Sequence, residues 1–306
     1  MNRIGDNAFL DCTDLKAVSS LGKIKKIEKK AFSGCEQLMF LNSPYGPETI
    51  EESAFEDCSN LMLAPLSSGV KYIGNSAFKN CNSLISINLP EGLEKIGDNA
   101  FENCCSIPQY FEMPKFSENE NQIELRKMQI PNRIITSIPK SVKNIGKYAF
   151  AGCKNIAYVH MMDGCRVEEI DEGTFLGCDK LEAFDISSGV QTIGEQAFKD
   201  CKALRTINCL NEVGLPEKMK GIKSKAFENC ENLGVVLTNG KIKREADSFN
   251  NASKIQEADI KDLNPSFEII EGKAVKVVRP QKVEKTFSLS KIKDSINKVK
   301  NRDQTR

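Results

Sequence analysis

The stretch "IGDNAF" occupies residues 4–9 and recurs, letter for letter, at residues 96–101. The two copies are 92 residues apart, which is four times 23, and a shift of 23 superimposes five phenylalanines without a gap. The same position returns after an interruption, and its tenth copy is the most degraded. A fixed period of this length indicates one structural unit written many times. The ten positions are Phe9, Phe32, Phe55, Phe78, Phe101, Phe150, Phe175, Phe198, Phe227 and Phe249.

Other residue types recur at fixed distances from these phenylalanines. Isoleucine stands five residues before the first nine, and alanine stands just before eight of them, with Thr174 in the remaining copy. A cysteine follows each of the nine by three residues, so the period accounts for nine of the 12 cysteines. The residue before each of these cysteines is always Asp, Gly or Asn, the types that best tolerate a left-handed backbone.

The spacing predicts a short helix in each unit, because Ile4, Ala8 and Cys12 would share one helix face. The left-handed residue before the cysteine would end that helix after about two turns. Alternating pieces such as "LISINLP" (84–90) predict a strand. A unit of this size cannot bury enough apolar surface to fold alone, so successive strands are expected to stack in parallel at about 4.8 Å. The predicted fold is an α/β repeat solenoid, right-handed and curved, with about ten coils.

The segment "LISINLPEGLEKIGDNAFENC" (84–104) carries nearly every recurring position. It resembles the BspA-type leucine-rich repeat of bacterial and protist surface proteins, and the resemblance covers about residues 1–255. It implies a curved leucine-rich-repeat solenoid that is used for binding, often on cell surfaces, and that has no catalytic residues.

The predicted organisation has three parts. Residues 1–255 form the solenoid, with an irregular insertion at 106–140. Residues 256–280 form a strand or hairpin that caps it, since "FEIIEGKAVKVV" (267–278) has two β-prone runs around a turn. Residues 281–306 form a basic tail, helical or disordered, which either docks on the last coil as a solvated helix or contacts an anionic membrane or nucleic acid.

Composition and the ends of the sequence limit the partners and the cellular location that we expect for the chain. Its 43 basic and 42 acidic residues give no overall charge that would steer it to nucleic acid. No stretch approaches the roughly 20 apolar residues of a membrane-spanning helix, and the N-terminus lacks a secretory signal. As written, the chain is expected in the cytoplasm, and at the cell surface if an upstream segment is missing. The bare first coil indicates either such a segment or an oligomer that buries this edge.

The sequence offers little catalytic chemistry, and we predict no enzyme activity, cofactor or metal site. Cysteines in a parallel row about 4.8 Å apart suit neither zinc nor a disulfide, so they are expected to be buried small side chains. Cys105, Cys165 and Cys209 lie off the row and are better candidates for reactive thiols. His160 is the single histidine, so a thiol-dependent site would need it, with Cys165 and Asp163 nearby in sequence.

The predicted binding surface is the solvent-facing side of the strands. In "LISINLP" Leu84 and Ile87 point inward, so Ser86 and Asn88 should face the concave side. We predict a module that binds a protein, with host or matrix proteins among the candidates. The alternative function is an adhesive or structural repeat protein that is part of a longer secreted chain. The alternative for the surface is that irregular copies bury these side chains or that the insertion covers them. The predicted binding residues are Phe40, Leu63, Phe111, Tyr158, His160, Asp185 and Asn208.

Overall fold

The structure is a computed structural model that describes residues 2–18, 22–41, 46–104, 110–116, 123–129, 134–209, 212–213, 215–234, 242–252, 267–270 and 273–276. The chain divides into two compact units, Met1–Asp262 and Leu263–Arg306. Secondary structure in the described residues consists of short strands and turns, without a helix. The strands are β1 (Arg3–Ile4), β2 (Ala17–Val18), β3 (Lys26–Ile27), β4 (Phe40–Leu41), β5 (Thr49–Ile50), β6 (Tyr72–Ile73), β7 (Lys95–Ile96), β8 (Tyr110–Phe116), β9 (Ile123–Gln129), β10 (Ile134–Ile138), β11 (Asn144–Ile145), β12 (Ile156–Met161), β13 (Glu169–Ile170), β14 (Ala183–Ile186), β15 (Thr192–Ile193), β16 (Thr206–Cys209), β17 (Glu212–Val213), β18 (Gly221–Ile222), β19 (Lys243–Arg244), β20 (Phe267–Ile270) and β21 (Lys273–Lys276).

Most strands of the first unit pair with their equivalents in the neighbouring repeats; β8, β9 and β17 are the exceptions among the described strands. The recurring isoleucines lie in a six-stranded parallel sheet, β1-β3-β5-β6-β7-β11, and in a four-stranded one, β13-β15-β18-β19. A second parallel row contains the pair β2-β4 and the five-stranded sheet β10-β12-β14-β16-β17, in which β17 alone runs antiparallel. The predicted parallel solenoid is confirmed.

The ten recurring phenylalanines form one column through the solenoid. Neighbouring rings stack with centroids 4.9–5.5 Å apart and planes within 11° of parallel, close to the spacing of parallel strands. The rings from Phe32 to Phe227 are fully buried, whereas Phe9 at the first coil is half-buried. The core is therefore continuous along the stack, and each layer is completed by its neighbours.

The predicted short helix is wrong, because the segment around each phenylalanine is a series of turns. In an α-helix every N–H donates to the carbonyl four residues earlier. Here the Ala31 N–H donates to Glu28 O (3.2 Å), three residues back, while the Phe32 N–H donates to Ala54 O (2.8 Å) in the next coil. The same alternation continues along the segment, so half of its donors hold neighbouring coils together.

Two left-handed residues in each coil enforce this path. The Asp, Gly or Asn before each recurring cysteine has positive φ, as predicted, for example 73° at Gly34. A second left-handed position lies four residues earlier, where Lys30 has φ of 53°, and it interrupts helical geometry. The residues at this second position are Asn7, Lys30, Ser53, Ser76, Asn99, Tyr148, Gly173, Gln196 and Lys225.

The glycine, aspartate and asparagine of "IGDNAF" at 96–101 have separate structural roles. A Cβ atom on Gly97 would lie 2.5 Å from the backbone N of Asn75, so this position requires glycine for close approach of two coils. Asp98 Oδ1 accepts a hydrogen bond from the Lys147 N–H in the next coil (3.0 Å). Asn99 adopts the left-handed conformation, with φ of 54°. The apolar letters Ile, Ala and Phe supply the buried core.

The recurring cysteines are buried, as predicted, except at the first coil, where Cys12 is exposed. They also act as hydrogen-bond donors, which the sequence did not indicate. Cys58 Sγ donates to the carbonyl of Phe32 in the preceding coil, at 3.0 Å. Equivalent bonds of 2.8–3.2 Å are made by Cys35, Cys81, Cys104, Cys153, Cys178, Cys201 and Cys230.

Two antiparallel hairpins depart from the repeat. Within the insertion, β8 pairs with β9, and Phe111 lies opposite Met128. In the second unit β20 pairs with β21, as the two β-prone runs predicted, while its capping role stays a prediction. Cys105 and the tail 281–306 lie outside the described residues.

Candidate functional site

Four of the predicted binding residues lie together on one face of the five-stranded sheet. Side chains alternate along β12, β14 and β16: Val159, Phe184 and Ile207 are buried, while their neighbours are half-exposed. We call this half-exposed side the strand face. The register places His160 beside Asp185, and Asp185 beside Asn208.

These residues form a hydrogen-bonded group, the Asp185 cluster, made of Tyr158, His160, Asp185 and Asn208. Tyr158 Oη donates to Asp185 Oδ2. This contact is diagonal, because the residue directly opposite Tyr158 on the neighbouring strand is Ala183, two residues before Asp185. His160 Nδ1 lies 3.0 Å from the same oxygen, and Asn208 Nδ2 donates to Asp185 Oδ1 at 2.9 Å. The carboxylate is the common acceptor of the other three side chains.

Burial and hydrogen bonding act in opposite directions on Asp185. Its side chain is 21% exposed, and burial raises the pKa of the carboxyl group, while the hydrogen bond from Asn208 lowers it. A raised pKa means that the surroundings disfavour the ionised form. The His160 ring is more accessible, with its side chain 40% exposed, and its plane lies within 17° of the Tyr158 ring at a centroid distance of 6.4 Å.

Phe40 and Leu63, predicted for the same surface, are not part of the Asp185 cluster. Phe40 lies in the separate β2-β4 sheet and is only 6% exposed, so the expectation that its ring faces solvent is wrong. Leu63 is 43% exposed but lies in a coil segment that forms no strand. A binding role for Leu63 stays a prediction.

Phe111 does not occupy the predicted position in the repeat, because β8 pairs with β9 inside the insertion. Hairpin pairing closes a short loop, which is locally cheaper than joining a distant strand. Ile135 and Ser137 on β10 stand beside Tyr158 and His160 instead. The segment "IPKSVKNIG" (138–146) repeats "LPEGLEKIG" (89–97), so counting back from its proline would have placed Ser137 where Asn88 lies.

The structure does not assemble the considered thiol site. Cys165 is 4% exposed, and its Sγ faces Val142 O at 3.7 Å. Burial raises the pKa of the Cys165 thiol, which disfavours the reactive thiolate. His160 is paired with Asp185 rather than with Asp163. Within the described residues, no group of three or more His, Cys, Asp or Glu could hold a metal ion.

Repeated short strands, the phenylalanine column and the recurring isoleucines define a leucine-rich-repeat solenoid. The chain belongs to the family described as the BspA type leucine rich repeat region, whose model matches in 6 copies over residues 2–124, 129–255 and 206–300. A comparison with curated proteins found no match. In the part of the chain that the structure describes, no helix has the length and apolar character needed to cross a membrane.

Several solved structures resemble this chain. A leucine-rich repeat protein of T. pallidum shares 26% identity with a TM-score of 0.48, over 62% of this chain and 78% of that one. A leucine-rich repeat protein of Eubacterium ventriosum shares 16% identity with a TM-score of 0.49, over 82% and 80%. The pneumococcal vaccine antigen PcpA shares 20% identity with a TM-score of 0.48, over 79% and 63%.

Proposed function

We propose that this protein is a non-enzymatic interaction module that binds a partner protein through the strand face, with the Asp185 cluster at the centre of the interface. The observation that carries the proposal is the convergence of Tyr158, His160 and Asn208 on Asp185 across three neighbouring strands. Tyrosine is enriched among the residues that dominate binding energy at interfaces.

The cluster also suits an interface on physical grounds. Each of its side chains is held by a hydrogen bond to Asp185, so little side-chain freedom remains to be lost on binding. The neighbouring positions Ala183 and Thr206 are small and half-exposed, which leaves the surface beside Tyr158 shallow. From the side of Ala183, a partner can therefore reach the ring without displacing a large side chain.

Photocrosslinking followed by affinity measurement tests the proposal. A benzoylphenylalanine at Thr206, beside the cluster, should crosslink a discrete protein from host-cell surface extracts, whereas one at Tyr72 should not. Tyr72 is a suitable control because it is 44% exposed and lies in the sheet of the recurring isoleucines. The crosslinked protein is then purified and its affinity measured by calorimetry.

Tyr158→Ala should weaken that affinity by about 10- to 30-fold, the range of an interface hot spot, with Tyr72→Ala unchanged. Circular dichroism checks that both variants remain folded. Equal affinities for the wild type and Tyr158→Ala would reject the strand face as the binding surface.

A structural or adhesive repeat protein is the second candidate, and the uniformity of the coils favours it. The phenylalanine column and the cysteine bonds repeat in almost every coil, as a rigid spacer requires. In this case no single patch would matter, and crosslinking at Thr206 and Tyr72 would capture the same proteins in similar yield.

A further inference from the structure

Asp185 differs from the carboxylates in the other ion pairs of the described residues, because its three side-chain partners include no lysine or arginine. In the other ion pairs a lysine or arginine of the chain lies beside the carboxylate, as in Arg3–Glu28 (3.2 Å) and Lys199–Glu228 (2.6 Å). Other carboxylates, such as Asp57 and Asp200, accept a hydrogen bond from a single asparagine side chain. Asp185 contacts a phenol, an amide and an imidazole. When the imidazole is neutral, the cluster keeps a net negative charge in a half-buried position.

The hydrogen-bonding pattern fixes what the cluster offers to a ligand. A carboxylate can only accept, so the hydrogen of a neutral His160 lies on Nδ1, and Nε2 is left as an acceptor. Asn208 uses its amide N–H toward Asp185, so its Oδ1 is a second acceptor. The site therefore combines negative charge with hydrogen-bond acceptors, and it suits a ligand that carries several hydrogen-bond donors.

The two aromatic rings add a shape requirement. Tyr158 and His160 lie nearly parallel on one strand. The small residue Ala183 lies beside the tyrosine on the neighbouring strand, and Thr206 follows on the strand after that. A cation is attracted to the face of such a ring, and a planar cation stacks on it best. Guanidinium is planar, carries five N–H donors and is always charged, whereas ammonium is a compact point charge.

We infer that the Asp185 cluster is an anchor site for an arginine side chain presented by the partner protein. The guanidinium stacks on Tyr158, donates to His160 Nε2 and Asn208 Oδ1, and neutralises Asp185. This inference rests on the proposed function, because it names the chemistry of the residue that enters the same surface.

Nuclear magnetic resonance offers a direct readout, because His160 is the single histidine of the chain. The probe is the peptide acetyl-Gly-Arg-Gly-amide, titrated at pH 8 while the imidazole Cε1–H signal is followed. The same peptide with citrulline keeps the planar shape without the charge, and the lysine peptide keeps the charge without the planar fork. The arginine peptide should shift the signal saturably and bind on the order of fivefold more tightly than either control.

Two variants test the source of this preference. Asp185→Asn should reduce arginine binding to the citrulline level, and Thr206→Glu, which adds a carboxylate beside the site, should strengthen it. Glu172→Gln is the matched control, since Glu172 pairs with Lys147 elsewhere and its loss should leave binding unchanged. The gain expected in Thr206→Glu keeps the test decisive if Asp185→Asn folds poorly.

Equal binding of the arginine and citrulline peptides, or no gain in Thr206→Glu, would overturn the arginine assignment. If the crosslinked partner still loses affinity on Tyr158→Ala, then only the anchor chemistry is wrong. If Tyr158→Ala also has no effect on the partner, the proposed function fails as well.

Discussion

Phe150, Phe175 and Phe198 of the column lie in the same coils as Tyr158, Asp185 and Asn208 of the Asp185 cluster. The column side chains are identical in every coil and fully buried from Phe32 to Phe227, whereas the cluster side chains differ from coil to coil and are half-exposed. A ring that stacks on its own equivalents above and below can only be replaced at the cost of two contacts. A solvent-facing side chain has no such constraint, so the repeat determines stability and the departures from it are available for recognition.

The column should be the most sensitive part of the molecule. Phe78 is fully buried and stacks on Phe55 and Phe101 at 5.3 and 5.2 Å. Phe78→Ala should lower the free energy of unfolding by about 3–5 kcal/mol, because it removes a large buried side chain and leaves a cavity. Urea unfolding followed by circular dichroism measures the loss.

Phe9→Ala is the internal comparison for that experiment. Phe9 is half-buried and stacks on Phe32 alone, so about 1–2 kcal/mol is expected. Similar losses for Phe9→Ala and Phe78→Ala would contradict a column in which each layer depends on both neighbours.

The cysteine bonds should contribute less than the rings. Cys58→Ala removes a buried thiol and its bond to Phe32 O, for an expected loss of about 1–2 kcal/mol. The exposed Cys12 gives the matched control, and Cys12→Ala should leave the urea midpoint unchanged.

Thiol labelling adds an independent check of cysteine burial. Burial raises the pKa of Cys35 to about 11, so Cys12 should react first in the folded protein. Fast labelling of the buried cysteines at native conditions would show that the coils open readily.

The left-handed residue before each recurring cysteine should contribute about 1 kcal/mol to the free energy of unfolding. Asn80 has φ of 60°, donates to Asp57 Oδ1 at 2.8 Å and accepts from Asn103 Nδ2 at 2.9 Å. Asn80→Ala loses both bonds and adds backbone strain, whereas Asn80→Gly loses the bonds but keeps the conformation. Thermal unfolding should therefore rank wild type, Asn80→Gly and Asn80→Ala in that order. A lower melting temperature for the glycine variant would show that strain is not the main term.

The sequence predicts those features of the fold that recur with one residue type, or with a few types that share a backbone preference. The column, the buried cysteines and the left-handed residue before each cysteine all carry such a signal. The second left-handed position does not, since Lys30, Tyr148 and Gln196 share no property that favours it. Without that position the spacing of four residues is indistinguishable from a helix, which explains the wrong prediction there.

The candidate site was predictable only in part, for a related reason. Strand alternation correctly placed Tyr158, His160, Asp185 and Asn208 on the solvent-facing side. Their convergence on one carboxylate depends on register and rotamers across three coils, which single-chain periodicity does not encode. The prediction for Phe40 was wrong because its coil buries a position that strand alternation would leave exposed.

Substitution of Asp185 should have the smallest effect on stability, and its pH dependence is informative. Because the folded-state pKa of Asp185 is raised, its stabilising contribution is complete below the unfolded pKa and is lost as pH rises through the folded pKa. Asp185→Asn should therefore gain stability relative to the wild type as pH rises from 3 to 7. Urea unfolding across this range measures the difference.

Glu172 provides a control of opposite sign. Hydrogen bonds from Tyr148 and Lys147 lower the pKa of Glu172, so its contribution is present above the unfolded pKa and is lost as pH falls through the folded pKa. Glu172→Gln should accordingly lose stability relative to the wild type as pH rises from 3 to 7. If the stability of both variants relative to the wild type changes in the same direction as pH rises, the Asp185 cluster is an ordinary ion pair that supports folding. Opposite directions would mean that the ionised Asp185 disfavours folding at neutral pH, as expected for a carboxylate whose charge is neutralised by a partner rather than by the solenoid itself.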